Sequence, residues 1–399
     1  MSQKTEKNVF TQPLFIIFAL LAVAGLVCWF LQLTKGLQLT NLNNFETWGL
    51  YIIGFMLFTG IAAGSLIFTS SAYLFKVMEE YKPYTRISAY VGAICGVIGA
   101  GLFIFVDIGN PERVWHIIAS AHIASPMFWD TVILLVYVIV GILFTRQLLT
   151  VQDGKKDEKS LQAVSWVAFI AGLLVMATSF VFAMQVARPL WNNPVEPVSF
   201  LAAALVAALS MLIIIFAILN KTGYIQMSNE ELKKLGKIAG VFLLFELFVV
   251  LGEVCIGLYA GGGEESTIIH WLVAGKGAPF FWAEIVAIVV GLILFVNNNA
   301  KTTVAVTGAS VSIFAIFMIK YNLIQAQLLN PLITYAGPAG YNPSELGVYL
   351  PSIIEIGVSV GIVALGCLLV LIGLNKLNLG AGKQADSKIG YNKGTAINS

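Results

Sequence analysis

Residues 107–130, DIGNPERVWHIIASAHIASPMFWD, gather the chain's densest set of side chains able to do chemistry: Asp107, Glu112, Arg113, His116, His122 and Asp130, set among Pro, Gly and Trp. A two-electron, two-proton redox carrier such as a quinol needs hydrogen-bond partners for its ring oxygens and a base for each proton. Imidazoles and membrane-buried carboxyl groups meet that need, because burial brings a carboxyl group's proton affinity toward working pH. Aromatic and aliphatic walls would hold the ring. The same residues also have plainer readings. Glu112 and Arg113 make an ordinary surface pair, and His122 an ordinary interfacial residue.

The elements that must position this segment follow from composition. The chain has 399 residues, 58% hydrophobic and 11% charged, with a mean hydropathy of +0.86; soluble domains carry roughly 25% charged residues. Such a chain resides in a lipid bilayer. A formal net charge of +2 with dispersed basic residues gives no footprint for nucleic acid. The four cysteines, Cys28, Cys95, Cys255 and Cys367, lie singly within apolar runs, so no disulfide framework or iron–sulfur motif is expected. The first apolar run, Pro13 to Leu33, has the length of a span rather than of a signal-peptide core.

Ten runs are long enough to cross a bilayer: 13–34, 48–76, 86–107, 126–146, 161–187, 197–220, 236–260, 279–298, 302–322 and 350–375. The expected fold is therefore an all-α polytopic membrane protein of about ten helices. With the N-terminus inside, all but Lys35, Arg113, Arg188, Lys276 and Lys320 of the 23 basic residues fall on the cytoplasmic side. Both termini are then cytoplasmic, and the loops rich in Pro, Gly, Trp and His face outward.

Two of those loops resemble each other. WHIIASAHIASPMFWD ends at Asp130 and IHWLVAGKGAPFFWAE at Glu284. Each places a His nine or ten residues before a Pro that opens a helix, followed by an aromatic-Trp pair and a carboxylate. Spans 2–5 and 6–9 then read as tandem four-helix bundles in one orientation, with spans 1 and 10 added. The expected organisation is an N-terminal tail and first span (1–46), a first bundle (47–190) and a second bundle (191–330). An outer loop with the last span (331–375) and a cytoplasmic tail (376–399) follow. Pro at a helix start and Trp at an interface also have plain readings as a start signal and an anchor.

An ionisable side chain within a span costs roughly 2.5–3.5 kcal/mol on insertion scales, which makes it a functional candidate. Here these are Asp107, Asp130, Glu246, Glu253, Glu284, Lys320 and Glu355. The expected spans put Asp107 and Lys320 at the ends of outward-going helices and Glu246 nearest the midplane. Glu246 and Glu253 share a helix face two turns apart. With Glu284 they make a candidate proton relay reaching partway inward, or a set of interhelical hydrogen bonds. The three His, 116, 122 and 270, lie in outer loops rather than within spans, which argues against a b-type haem. Electrons then leave through another polypeptide.

The second span WGLYIIGFMLFTGIAAGS (48–65), the DIGNPERVWH segment, SPMFWD and the C-terminal YNPSELGVYLPSIIEIGVSVG together resemble the NrfD/PsrC family of polysulfide reductase membrane subunits. The ten spans, Trp129-Asp130 and the Pro351-Ser352…Glu355 pattern are similar to the branch holding the hydrogenase-2 and alternative complex III membrane subunits. The resemblance implies an outer-side site for menaquinone or ubiquinone in a prokaryotic cell membrane, serving anaerobic respiration. It also implies a ferredoxin-like iron–sulfur subunit on the outer face and a molybdopterin oxidoreductase or hydrogenase catalytic subunit. The chain would be part of such an enzyme without being catalytic alone, and would hold no haem or cluster itself.

By motif position, catalytic roles fall to Asp107, His116 and Asp130. Asp130 and His116 would be direct proton or hydrogen-bond partners of the ring, and Asp107 a supporting carboxylate. Arg113 would orient or dock, with Glu112, His122, Trp129, Trp48 and Gly64 completing the quinone-binding set. Gly60 and Gly64, four residues apart, equally suit simple helix packing. Lys320-Tyr321-Asn322 stands where the family pattern leads with Arg, so Lys320 departs from it. Two rivals remain: a secondary transporter, which usually binds substrate at the midplane between interrupted helices, and a passive membrane anchor without quinone chemistry.

Overall fold

A computed structural model describes residues 12–43, 45–259, 261–297, 301–329, 348–377 and 379–380. The expected loop from 331 to 347, most of the C-terminal tail, and Lys4 and Lys7 lie outside the described residues. Among the described residues ten helices are long and apolar enough to cross a membrane. This follows from chemistry as much as from hydropathy, since a backbone within lipid must satisfy its own hydrogen bonds.

The first span is α1 (Gln12–Lys35) and the second α2 (Leu50–Leu74). The third is built from α3 (Thr85–Ile94), one π-helical stretch at Cys95–Ala100 and α4 (Gly101–Asp107). A short helix α5 (His116–Ala119) precedes α6 (Pro126–Gln152), which opens on its proline. The fifth span is α7 (Lys159–Ala177), continued after a break by α8 (Phe180–Ala183). Then come α9 (Glu196–Lys221), α10 (Asn229–Tyr259), the short α11 (Glu264–Ala274), α12 (Ala278–Val296), α13 (Thr302–Leu328) and α14 (Ile353–Lys376). Gly154 and Gly223, at φ 74° and 75°, end α6 and α9 in the left-handed conformation that glycine tolerates.

Four expected boundaries move by more than a turn. The fourth span runs past 146 to Gln152, and the seventh opens at Asn229 rather than 236. The fifth span breaks near Thr178 and Ser179 instead of running unbroken to 187. The ninth continues six residues past 322, to Leu328. Hydropathy falls there because Asn322, Gln325 and Gln327 are polar, yet all three are buried and the helix persists around them. Lys320 therefore lies inside its helix, two turns from its end.

α2, α3, α6 and α7 pack as one ring of four helices, and α9, α10, α12 and α13 as another. α2 and α9 join the rings. A Cβ on Gly64 would meet the Ala204 carbonyl oxygen and the Ala208 methyl at 2.6 Å, so close approach of these helices requires glycine there. α1 packs on α14, where Gly25 and Gly361 touch, and α14 leans on the first ring.

Contacts among helix ends and the loops beside them define two faces. On the lysine-rich face the buried Arg86 donates to Gln152 Oε1 and Asp153 Oδ1, each at 2.6 Å. The hydroxyls of Tyr81 and Tyr84 cross to the second ring, donating to the carbonyls of Glu231 (3.0 Å) and Gln226 (2.8 Å). On the opposite, histidine-bearing face the Leu190 amide donates to Gln327 Oε1 and the Trp191 indole to the Leu323 carbonyl.

Candidate functional site

Both loops that share the His…Pro…Trp order sit on the histidine-bearing face and use the tryptophan alike. The Trp129 indole N–H donates to the Ile123 carbonyl at 2.8 Å, and that of Trp282 to the Val273 carbonyl at 3.1 Å. Each indole folds the loop back over the start of its helix, α6 or α12. The carboxylate that follows points into its ring of helices, and there the two copies diverge. Glu284 is buried and accepts from the Asn322 amide at 2.7 Å. Asp130 lies beside Thr178, whose hydroxyl donates to the Val175 carbonyl at 2.6 Å, and its Oδ1 is buried with no hydrogen-bond partner.

Asp107, the last residue of α4, likewise keeps a buried Oδ1 without a partner. Its charged neighbour is Glu355, on α14. Tyr51 stands close by and donates to Gln32 Oε1 at 2.6 Å, and Gln32 in turn donates to the Val106 carbonyl. The loop between these two acids is open. Glu112, Arg113, His116 and His122 are exposed, and His116 stacks on Trp115 with ring centroids 3.9 Å apart. Among the described residues no hydrogen bond or ion pair joins Asp107, His116 and Asp130 to one another. What they share is one end of the first ring of helices and unused hydrogen-bonding capacity.

Of the other expected residues, Trp48 stacks on Trp191 at 5.6 Å, between the two rings, with Phe182 against both. Gly64 lies at the α2–α9 crossing rather than beside the acids, because its missing Cβ makes room for Ala204 and Ala208. Glu355, an intramembrane acid by sequence, is a structural cap. It accepts from the Ser352 amide (2.8 Å), the Asn41 amide (3.0 Å) and the Tyr349 hydroxyl, which ties the loop after α1 to the start of α14.

The second ring of helices encloses a different constellation. Glu196, Glu253, Glu284, Lys320, Ser199 and Asn322 line a cavity of about 40 Å³, with Glu246 behind Ser199. Ser199 donates to Glu246 Oε2 at 3.0 Å and Asn193 to Glu253 Oε1 at 2.8 Å. The Lys320 ammonium is buried without a hydrogen-bond acceptor and lies 3.3 Å from the centroid of the Phe200 ring. Thus Glu246, Glu253 and Glu284, three residues of the candidate relay, act on a common neighbour.

Glu196 escaped the sequence reading because an acid just before Pro197 resembles an ordinary first-turn residue. Glu46 escaped it because it stands in a polar loop. There it is wholly buried, both carboxylate oxygens lack partners, and burial pushes its pKa up to about 8.

Comparison with known proteins places the arrangement. A putative membrane subunit of the dimethyl sulfoxide reductase of Halobacterium salinarum is 29% identical, covering 91% of this chain and 90% of its own length. A selenate reductase subunit of Mesobacillus selenatarsenatis is 23% identical over 89% and 91%. An Hdr-like menaquinol oxidoreductase integral membrane subunit of Archaeoglobus fulgidus is 23% identical over 72% and 71%. The family described as "Polysulphide reductase, NrfD" matches residues 38–330, which take in both rings of helices and both tryptophan loops, and the chain belongs to that family.

Proposed function

We propose that this chain is the quinone-binding membrane subunit of a respiratory oxidoreductase. It would exchange electrons between the membrane quinone pool and an iron–sulfur subunit docked on the histidine-bearing face, which is the extracytoplasmic one. The observation that carries this reading is the pair of orphaned oxygens, Asp107 Oδ1 and Asp130 Oδ1, at one end of the first ring of helices. An unsatisfied buried polar atom costs roughly 1–3 kcal/mol, so a native structure retains it where a ligand supplies the missing bond. Bound quinol supplies two electrons and two protons on oxidation. The orphaned carboxylate oxygens fit its hydroxyl groups as acceptors.

Within this chain, Asp130 and Asp107 hold and orient the ring's oxygens. Thr178 stands beside the Asp130 carboxyl and Tyr51 beside Asp107. His116 and His122, exposed in the linking loop, pass protons to water. Glu112 and Arg113 serve the docking surface, and Trp129 walls the entrance. The names of the relatives, reductase subunits and a menaquinol oxidoreductase subunit, favour menaquinone or ubiquinone as the carrier and a reductase of the molybdopterin class as the catalytic partner.

The test is quinol-analogue oxidation by the assembled complex carrying Asp130→Asn or Asp107→Asn. Loss of general-base chemistry predicts a fall of about 10²-fold or more in kcat/KM. Unchanged turnover in both variants would leave the chain a passive anchor. Solute uptake by the chain alone in liposomes would instead make it a transporter.

A further inference from the structure

The acid-lined cavity of the second ring of helices is separate from Asp107 and Asp130, and its chemistry does not depend on the quinone assignment. Four carboxyl groups act on Lys320: Glu196 from α9, Glu246 and Glu253 from α10, and Glu284 from α12. α2 and α11 also pack on α13 but bring no charged side chain to the cavity. A network built only to hold helices together would seat the ammonium on a carboxylate. Here each of Glu246, Glu253 and Glu284 takes a hydrogen bond from a neutral neighbour, while Lys320 has none and lies against Phe200. The cavity beside them, about 40 Å³, has room for water.

Charge limits what this group can be. Desolvating an ion costs several kcal/mol even after relaxation, so four carboxylates and one ammonium cannot all be ionised together at this depth. Among the described residues the acids do not converge as a metal-ligand group. The ligand that fits is the proton, with water. The exchange route is also one-sided. Glu253 is bonded to Asn193, in the loop on the histidine-bearing face. Toward the lysine-rich face, α9, α10, α12 and α13 carry no ionisable side chain until Lys221, Lys237 and Lys301.

We propose that Glu196, Glu246, Glu253, Glu284 and Lys320 form a proton reservoir that fills and empties only from the histidine-bearing face. Loss of a proton from one carboxyl O–H to cavity water leaves a carboxylate, and the hydrated proton departs past Glu253 and Asn193. The Lys320 ammonium swings from the Phe200 ring toward the new negative charge and offsets it. Uptake reverses each step.

The experiment is infrared difference spectroscopy on the purified complex in oriented proteoliposomes, following the carbonyl stretch of protonated carboxyl groups after a pH step. Glu246→Gln and Glu253→Gln should each remove one carboxyl's share of that band. Lys320→Met should add one share at pH 7, because the carboxylate balanced by the ammonium then takes up a proton, and Lys320→Arg should restore the original amplitude. A pH step on the histidine-bearing side should move the band, and the same step on the opposite side should not.

A band indifferent to both glutamine variants overturns the reservoir. A band that follows pH from both sides overturns the one-sided route and makes the group part of a through-path. If Lys320→Met fails to assemble with its partner subunits, Glu253→Gln decides alone. Because the readout is a carboxyl band rather than turnover, failure here leaves the quinone assignment standing, and failure of that assignment leaves this one.

Discussion

The Lys320 ammonium rests 3.3 Å from the centroid of the Phe200 ring, and no carboxylate takes a hydrogen bond from it. A desolvated cation over an aromatic face gains roughly 2 kcal/mol. Phe200→Leu should therefore destabilise the complex by about that amount, and Phe200→Tyr, which keeps the ring, by much less. Thermal unfolding in detergent measures both. Equal losses from the two variants would show that the ring's bulk, and not its face, supports Lys320.

Glu46 makes stability depend on pH. Its folded-state pKa is pushed up to about 8 by burial, against an ordinary 4.5. Below 4.5 both folded and unfolded states hold the proton, and between 4.5 and about 8 only the folded state does, so stability should fall as pH rises through that window and level off above it. Hydrogen exchange in the loop from Gly36 to Gly49 at pH 5, 7 and 9 reads the effect. Glu46→Gln should flatten the profile, and stability rising with pH over this window would sink the assignment.

Glu355→Ala should loosen the entrance to two helices at once. Its carboxylate caps α14 through Ser352 and also holds the Asn41 amide and the Tyr349 hydroxyl. Losing the cap costs about 1 kcal/mol, and orphaning further buried groups adds roughly 1–3 kcal/mol. Protease sensitivity of the loop after α1 should rise with the fall in melting temperature, and Glu355→Gln should do less damage. A neutral Glu355→Ala would show that water replaces the carboxylate.

Gly361→Leu should push α1 off α14, because at Gly25 and Gly361 the two backbones touch. Overpacking of this kind costs about 1–3 kcal/mol. Since α1 is mostly exposed on the outside of the helix rings and α14 is its main neighbour, the loss should show first as protease cleavage near α1, before the global unfolding midpoint moves. Coincident loss of both would mean that the α1–α14 pair supports the rings of helices themselves.

Hydropathy made the ten spans legible, because the bilayer demands about twenty apolar residues per crossing wherever they stand in the fold. The paired tryptophan loops were legible for a similar reason: a Pro with Trp three residues on, and a carboxylate one or two residues further, act within one loop and its helix. Polar residues misled where burial reversed their meaning. Asn322 and Gln325 ended the expected ninth span, yet the helix runs past them to Leu328. Glu355 looked costly within a span, yet it is fully partnered.

From residue types and spacing came the helical membrane class, from the resemblance of its motifs the family, and from both Asp107 and Asp130 as candidate acids. Only the tertiary structure decided that Glu355 is a cap, that Gly64 serves the α2–α9 crossing, and that Glu196, Glu246, Glu253 and Glu284 surround Lys320. Spans are set by local hydropathy, which each segment carries with it. Whether a buried acid has a partner depends on side chains brought from other helices, far away along the chain.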